Sequence, residues 1–179
     1  ITWQTVTSGK NSFRLKLEDA QYSSVAPCLF LKDKNIDEEY LLKVIGSANS
    51  FVSSQIMDVL NPTMQMNPGD VTRIPLFNSV DTKIIEQLIE LSTQEWNSFE
   101  VSSEYSFPYQ IRSKAIKSDF EHRFAVLKSR WSSMIELEIQ NERNINSDFE
   151  DFDRNEYLKL AGYGGLLSLE NIYDSPTIT

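Results

Sequence analysis

The side chains in this chain best suited to chemistry are ones that bind, not ones that break bonds. Ser8-Gly9-Lys10-Asn11 reads as a polar turn, and Phe13, Leu15 and Leu17 then alternate with Arg14 and Lys16 in the period of a half-buried strand. Arg14 carries the paired N–H groups that match guanine, the Asn11 amide matches adenine, and Lys10 suits a backbone phosphate. A second polar stretch, Asn61 to Gly69, gathers Thr63, Gln65 and Asn67 around Met64 and Met66. Either this loop faces a groove of a ligand, or its methionines pack beneath the neighbouring elements. Ser8, Lys10, Asn11, Arg14, Thr63, Gln65 and Asn67 are therefore the candidate DNA contacts, although each alone is also an ordinary surface residue.

Bond-breaking chemistry lacks its parts. His122 lies between Glu121 and Arg123 in a helical pattern, with no second His and no nearby Cys to complete a metal site. Cys28, beside Leu29 and Phe30, reads as a buried core thiol. Asp148, Glu150, Asp151 and Asp153 lack the spacing and the glycine of a calcium loop, and read as a solvated acidic face. No Ser–His or carboxylate pair can be assigned, so no catalytic residue and no metal ligand is expected here, and an independent hydrolase is disfavoured.

Charge divides the chain. The net charge is −9 overall. Residues 1–80 carry 7 basic and 8 acidic groups, whereas residues 81–179 carry 10 basic and 18 acidic groups. Residues 1–32, with Lys10, Arg14, Lys16 and Lys32 against Glu18 and Asp19, are net +2. Only the N-terminal third is electrostatically fitted to a polyanion. Hydrophobic residues make up 40% of the chain, enough for a globular core. The single cysteine favours a reducing compartment, and no apolar run approaches the ~18 residues of a membrane span. Ile1 stands where a natural start would be Met, so the N-terminus reads as a cut inside a longer protein. These features imply a soluble, cytoplasmic protein without membrane contact.

Several elements must position the candidate residues. Leu41, Val44, Ile45, Ala48, Phe51, Val52, Ile56, Val59 and Leu60 keep a three-to-four spacing that predicts one helix over 37–60, capped by Asn35 or Asp37 and ended by Pro62. Pro68-Gly69-Asp70 predicts a turn, and 71–76 a short extended piece. A second helix is expected over 81–95, then an irregular stretch over 96–112 with the aromatics Trp96, Phe99, Tyr105, Phe107 and Tyr109. A long helix is expected over about 113–142, with Ile116, Phe120, Phe124, Leu127, Trp131, Met134 and Ile135 as its apolar seam.

One region carries a resemblance. Leu41-Leu42, Asn49-Ser50, Asn61-Pro62-Thr63, Gly69-Asp70 and Ile74-Pro75 occur in the order of an "LL…NS…NPT…GD…IP" pattern. Ile1-Thr2-Trp3 with Ser8-Gly9-Lys10, Trp96-Asn97-Ser98-Phe99-Glu100, and Asn141-Glu142 with Asn146 and Phe149 flank it. Together these pieces resemble the C-terminal region of BREX/Pgl-type adenine-specific DNA methyltransferases of phage-defence systems. The layout is more distantly similar to target-recognition domains of type I specificity subunits. Residues 150–179 fall outside the resemblance.

The resemblance implies a parent enzyme that uses S-adenosylmethionine and marks DNA at N6 of adenine. The chain itself has no Pro-Pro pair, so Asn61-Pro62-Thr63 lacks the second proline and the aromatic stacker of an adenine-methylating motif. The expected role is target recognition in a restriction-modification-like system, with no cofactor in this fragment. Expected partners are double-stranded DNA, the catalytic domain of the same parent chain, and other phage-defence subunits. The alternative is a protein–protein docking module of the same enzyme without direct DNA contact. The expected fold is α+β: a target-recognition-like part over 1–79, with a small mixed sheet from residues 1–35 and 64–76 packed by the 37–60 helix, then a helical part over 80–179.

Overall fold

The computed structural model describes residues 1–6, 12–16, 21, 23–32, 37–105, 116–146 and 157, with only the helical backbone described for 116–120. The described residues form five helices: α1 (Glu38–Ala48), α2 (Phe51–Leu60), α3 (Pro68–Val71), α4 (Thr82–Trp96) and α5 (Ile116–Ile145). No strand occurs among them; extended pairing is limited to isolated antiparallel bridges, Thr2 with Arg14 and with Cys28, Val6 with Gln65, and Ser23 with Ala26. The expected α+β fold with a small mixed sheet is therefore incorrect, and the described chain is helical.

The reason lies at Phe13. Thr2 and Arg14 exchange both backbone hydrogen bonds, at 2.8 and 2.9 Å. The backbone of Phe13 then faces away from Thr2, where a further strand would continue a sheet. The Asn49 side chain stands there instead: its Oδ1 accepts from Phe13 N–H at 2.8 Å and its Nδ2 donates to Phe13 O at 2.9 Å. One side-chain amide satisfies both groups, so nothing propagates the ladder. Phe13 is buried, while Leu15, its expected partner on the same face, is exposed.

The same asparagine divides the expected 37–60 helix. α1 is capped at its start by Asp37, whose side chain accepts from Glu39 N–H, and stops at Ala48. Ser50 then takes an extended conformation (φ −67°, ψ 152°) and caps α2 by accepting from Ser53 N–H at 3.1 Å. The hydroxyls of Ser50 and Ser53 donate to Ser47 O at 2.8 and 2.6 Å, and Ser47 Oγ accepts from Phe77 N–H at 2.9 Å. Three fully buried serines thus knit the break, each with a partner.

The stretch expected to be extended from Val71 instead begins as α3. Pro68 at its first position and Asp70, which accepts from Asn67 N–H, favour a helical turn over the strand propensity of Val71. α4 starts behind Asp81, which accepts from Lys83 N–H at 2.9 Å.

Two apolar clusters hold these elements. Trp3, Phe13, Ala48, Met57 and Met66 form one, and Ile45, Val80 and Ile85 the other, with Ile1 packed against both. Gly46 permits the α1–α4 approach, since a Cβ there would lie 2.6 Å from Val80 Cγ1 and 2.7 Å from Ile85 Cδ1. α4 and α5 run antiparallel. Near the end of α4, Glu95 pairs with Arg130 at 3.0 Å, while Ile145 at the end of α5 packs on the cluster holding Ile85. Along the expected seam of α5, Ile135 is buried while Phe124, Leu127, Trp131 and Met134 are half-buried. No helix among the described residues is long and apolar enough to cross a membrane.

Candidate nucleic-acid interface

Residues 1–6 are the axis of the candidate site. Arg14 flanks Thr2 on one side, and Gln65 flanks Val6 at the other end of the segment. Three residues lie between Thr2 and Val6, so the two are at most about 14 Å apart along the extended chain. The attachments are backbone hydrogen bonds: Met66 N–H donates to Thr5 O at 2.8 Å, and Leu29 N–H to Ile1 O at 2.8 Å. Trp3 fixes the arrangement from beneath, its Nε1–H reaching Met66 O at 3.3 Å and its ring lying 5.9 Å from that of Phe13.

The 61–70 loop is closed by its own side chains. Asn61 Nδ2 donates to Gln65 O and to Asp70 Oδ2, both at 2.7 Å. Asn61 Oδ1 accepts from the Thr63 hydroxyl at 2.6 Å and from Thr63 N–H at 3.2 Å. Asp70 Oδ2 also accepts from Asn67 N–H at 3.1 Å. Asn61 and Asp70 thus tie the two ends of the loop, as backbone turns would. Met66 points inward and is buried, whereas Met64 points outward and is 60% exposed, so the two methionines do opposite things. Gln65 and Asn67 are exposed, and their amides are linked, Gln65 Nε2 to Asn67 Oδ1 at 3.4 Å.

The hydrogen bonds from Asn67 N–H, first, and from the Asn61 amide hold the Asp70 carboxyl below the ordinary aspartate value. A depressed folded-state value means that the loop's stabilisation is fully present above the unfolded-state aspartate value. It is lost as pH falls through the lower folded-state value. Acidification below that range is expected to loosen the loop, read as faster amide exchange at Gln65 to Asn67 before global unfolding. An Asp70→Asn variant should show the loosened loop already at neutral pH.

Of the seven expected contact residues, four lie among the described residues. Arg14, Gln65 and Asn67 present exposed side chains around one segment. Thr63 is exposed too, but its hydroxyl is directed into the loop. Ser8, Lys10 and Asn11 lie outside the described residues, as do Asp148, Glu150, Asp151 and Asp153. Cys28 is half-buried and not the fully buried thiol expected, its Sγ 3.8 Å from Ala26 O. His122 is exposed on α5, and no group of three or more His, Cys, Asp or Glu among the described residues could hold a metal. Trp96 and Phe99 are exposed, and Tyr105 is half-buried.

The residues without an assigned role in the sequence are the ones that build the site: Asn49, Asn61, Asp70, Asn141 and Glu142. Asn141 Nδ2 donates to Gly46 O at 3.2 Å, and Glu142 Oε1 accepts from Phe51 N–H at 2.5 Å. The end of α5 is thereby plugged into the same α1–α2 break whose Asn49 holds Phe13. The motif spacing marked these positions; only the geometry shows what they bond to.

The chain is 32% identical over 114 residues to the adenine-specific methyltransferase PglX of Lacticaseibacillus casei (strain Zhang), covering 62% of this chain. It is 25% identical over 153 residues to the adenine-specific methyltransferase BrxX of Escherichia coli O9:H4 (strain HS), covering 84% of this chain. The chain is thus related, distantly, to adenine-specific methyltransferases of the BREX/Pgl type. The matched regions span only 9% and 12% of those two relatives' own lengths. No family pattern and no solved structure matches the chain.

Proposed function

We propose that this chain is the DNA target-recognition part of a bacterial N6-adenine-specific DNA methyltransferase of a phage-defence system. Methyl transfer itself, with S-adenosylmethionine, belongs to a separate catalytic domain of the parent enzyme, and this part does no bond chemistry. It acts on double-stranded DNA in the cytoplasm, beside that catalytic domain and the system's other subunits. The observation that carries the reading is the self-closed 61–70 loop, which leaves Gln65 and Asn67 exposed at one end of residues 1–6, with exposed Arg14 at the other. Preset side chains on a fixed backbone are what base readout requires, because disorder at the contact would cost affinity. Amides pair with adenine, and a guanidinium pairs with guanine or phosphate.

The test is a Gln65→Ala/Asn67→Ala double variant and an Arg14→Ala variant. Arg14 and Gln65 are exposed, so their substitution should change stability by no more than about 0.5 kcal/mol, whereas Asn67 is the N-cap of α3 and its replacement by alanine should cost about 1 kcal/mol. The double variant should lose discrimination by roughly 10- to 100-fold at the base it reads, and Arg14→Ala should weaken binding. Folded variants that bind and discriminate like the parent would remove these residues from the site.

A second reading has its own support. Residues 81–179 carry 18 acidic against 10 basic groups, which repels phosphate and suits protein docking. In that reading the chain binds its catalytic domain with little dependence on DNA.

A further inference from the structure

The antiparallel pair α4 and α5 leaves an open groove of about 620 Å³ along its outer side. Half-buried Leu91 and Leu137 lie among its lining residues, and Ser132 and Ser133 on α5 take up little room there. Glu90 comes from one helix and Glu136 from the other, and none of the described residues lining the groove is basic. Glu86, exposed one turn before Glu90, continues the acidic stripe along α4. The nearest cations are Arg130, whose charge is paired with Glu95 at 3.0 Å across the two helices, Lys128, one turn before Ser132 on α5, and Lys83, one turn before Gln87 on α4.

We propose that this groove seats an amphipathic helix of a protein partner, apolar on its inner face and flanked by Lys and Arg. Two antiparallel helices with a seam between them offer the place of a third helix in a bundle. The groove is too open to enclose a small molecule, which a ligand pocket must largely bury. Its two facing carboxylates repel nucleic acid and select a basic partner. The surface lies on α4 and α5, apart from the Arg14 and Gln65 side chains, so the proposal stands or falls independently of DNA reading.

The probe is a helical peptide of roughly 18 residues, with leucines at the i, i+3, i+4, i+7 positions and lysines elsewhere. Its counterpart carries glutamates in place of the lysines. Binding to the full chain is followed by fluorescence anisotropy. The lysine peptide should bind and the glutamate peptide should not. Glu90→Lys/Glu136→Lys should weaken the lysine peptide about 10-fold or more, by placing like charges across the contact. Glu38→Lys/Glu39→Lys, with the same change in net charge on α1, should leave it within about 2-fold, since neither residue lines the groove. All four positions are exposed, and circular dichroism confirms that the variants fold. No binding of the lysine peptide, or equal weakening by both pairs of substitutions, overturns the proposal. So does a self-associated chain in sedimentation that the groove substitutions dissociate, because the occupant is then a second copy.

Discussion

Trp3→Ala is expected to destabilise the chain by roughly 3–5 kcal/mol, the range for emptying a large aromatic site from a packed core. Trp3 is 4% exposed and is packed with Phe13, Ala48, Met57 and Met66. Its indole N–H also reaches Met66 O, so the loop loses its anchor along with its support. Trp3→Phe keeps a six-membered ring but removes that hydrogen bond and part of the buried volume, and should cost less than Trp3→Ala, about 1–3 kcal/mol. Urea unfolding of the three proteins measures the difference. A Trp3→Ala midpoint close to the parent's would mean that the N-terminal segment is not part of the folding core.

The second large effect is expected at Glu142, which is 2% exposed. Its carboxylate accepts from the first helical N–H of α2, at the end of a helix where the backbone dipole favours negative charge. Glu142→Ala removes this acceptor from the part-buried Phe51 N–H and empties a buried side-chain site, and is expected to cost about 2–3 kcal/mol. Glu142→Gln retains an acceptor of nearly the same shape and should cost less than half as much. The pair separates charge from bulk: equal losses would show that the negative charge at the start of α2, which glutamine lacks, carries the effect and not the volume of the side chain. Because Glu142 plugs the break whose Asn49 holds Phe13, amide exchange near Phe13 and Arg14 should also rise in Glu142→Ala.

The sequence made some of this legible. The three-to-four spacing of Ile84, Ile85, Leu88, Ile89 and Leu91 located α4 to within a residue, because Asp81 signals its start and the apolar face is uninterrupted. α5 was legible for the same reason. The α1–α2 break was not, because Ala48, Phe51 and Val52 keep helical spacing straight through Asn49 and Ser50. Those two residues act through distant partners, Phe13 and the serine knot, which no local pattern displays. The sheet failed likewise: strand-forming residues are present, but a side chain occupies the edge on which a ladder would grow. In the loop, polarity drew attention to Thr63, Gln65 and Asn67, whereas the closing bonds are made by Asn61 and Asp70 as well. Polarity alone cannot distinguish an amide directed at its own backbone from one directed outward.

The most direct test of the recognition reading is binding of the whole chain to a fluorescent duplex library at ~50 mM and ~200 mM salt, a range over which phosphate contacts weaken strongly. The expected result is binding that falls steeply with salt and ranks the duplexes by sequence. Absence of binding at both salts, or equal binding to every duplex, would contradict it.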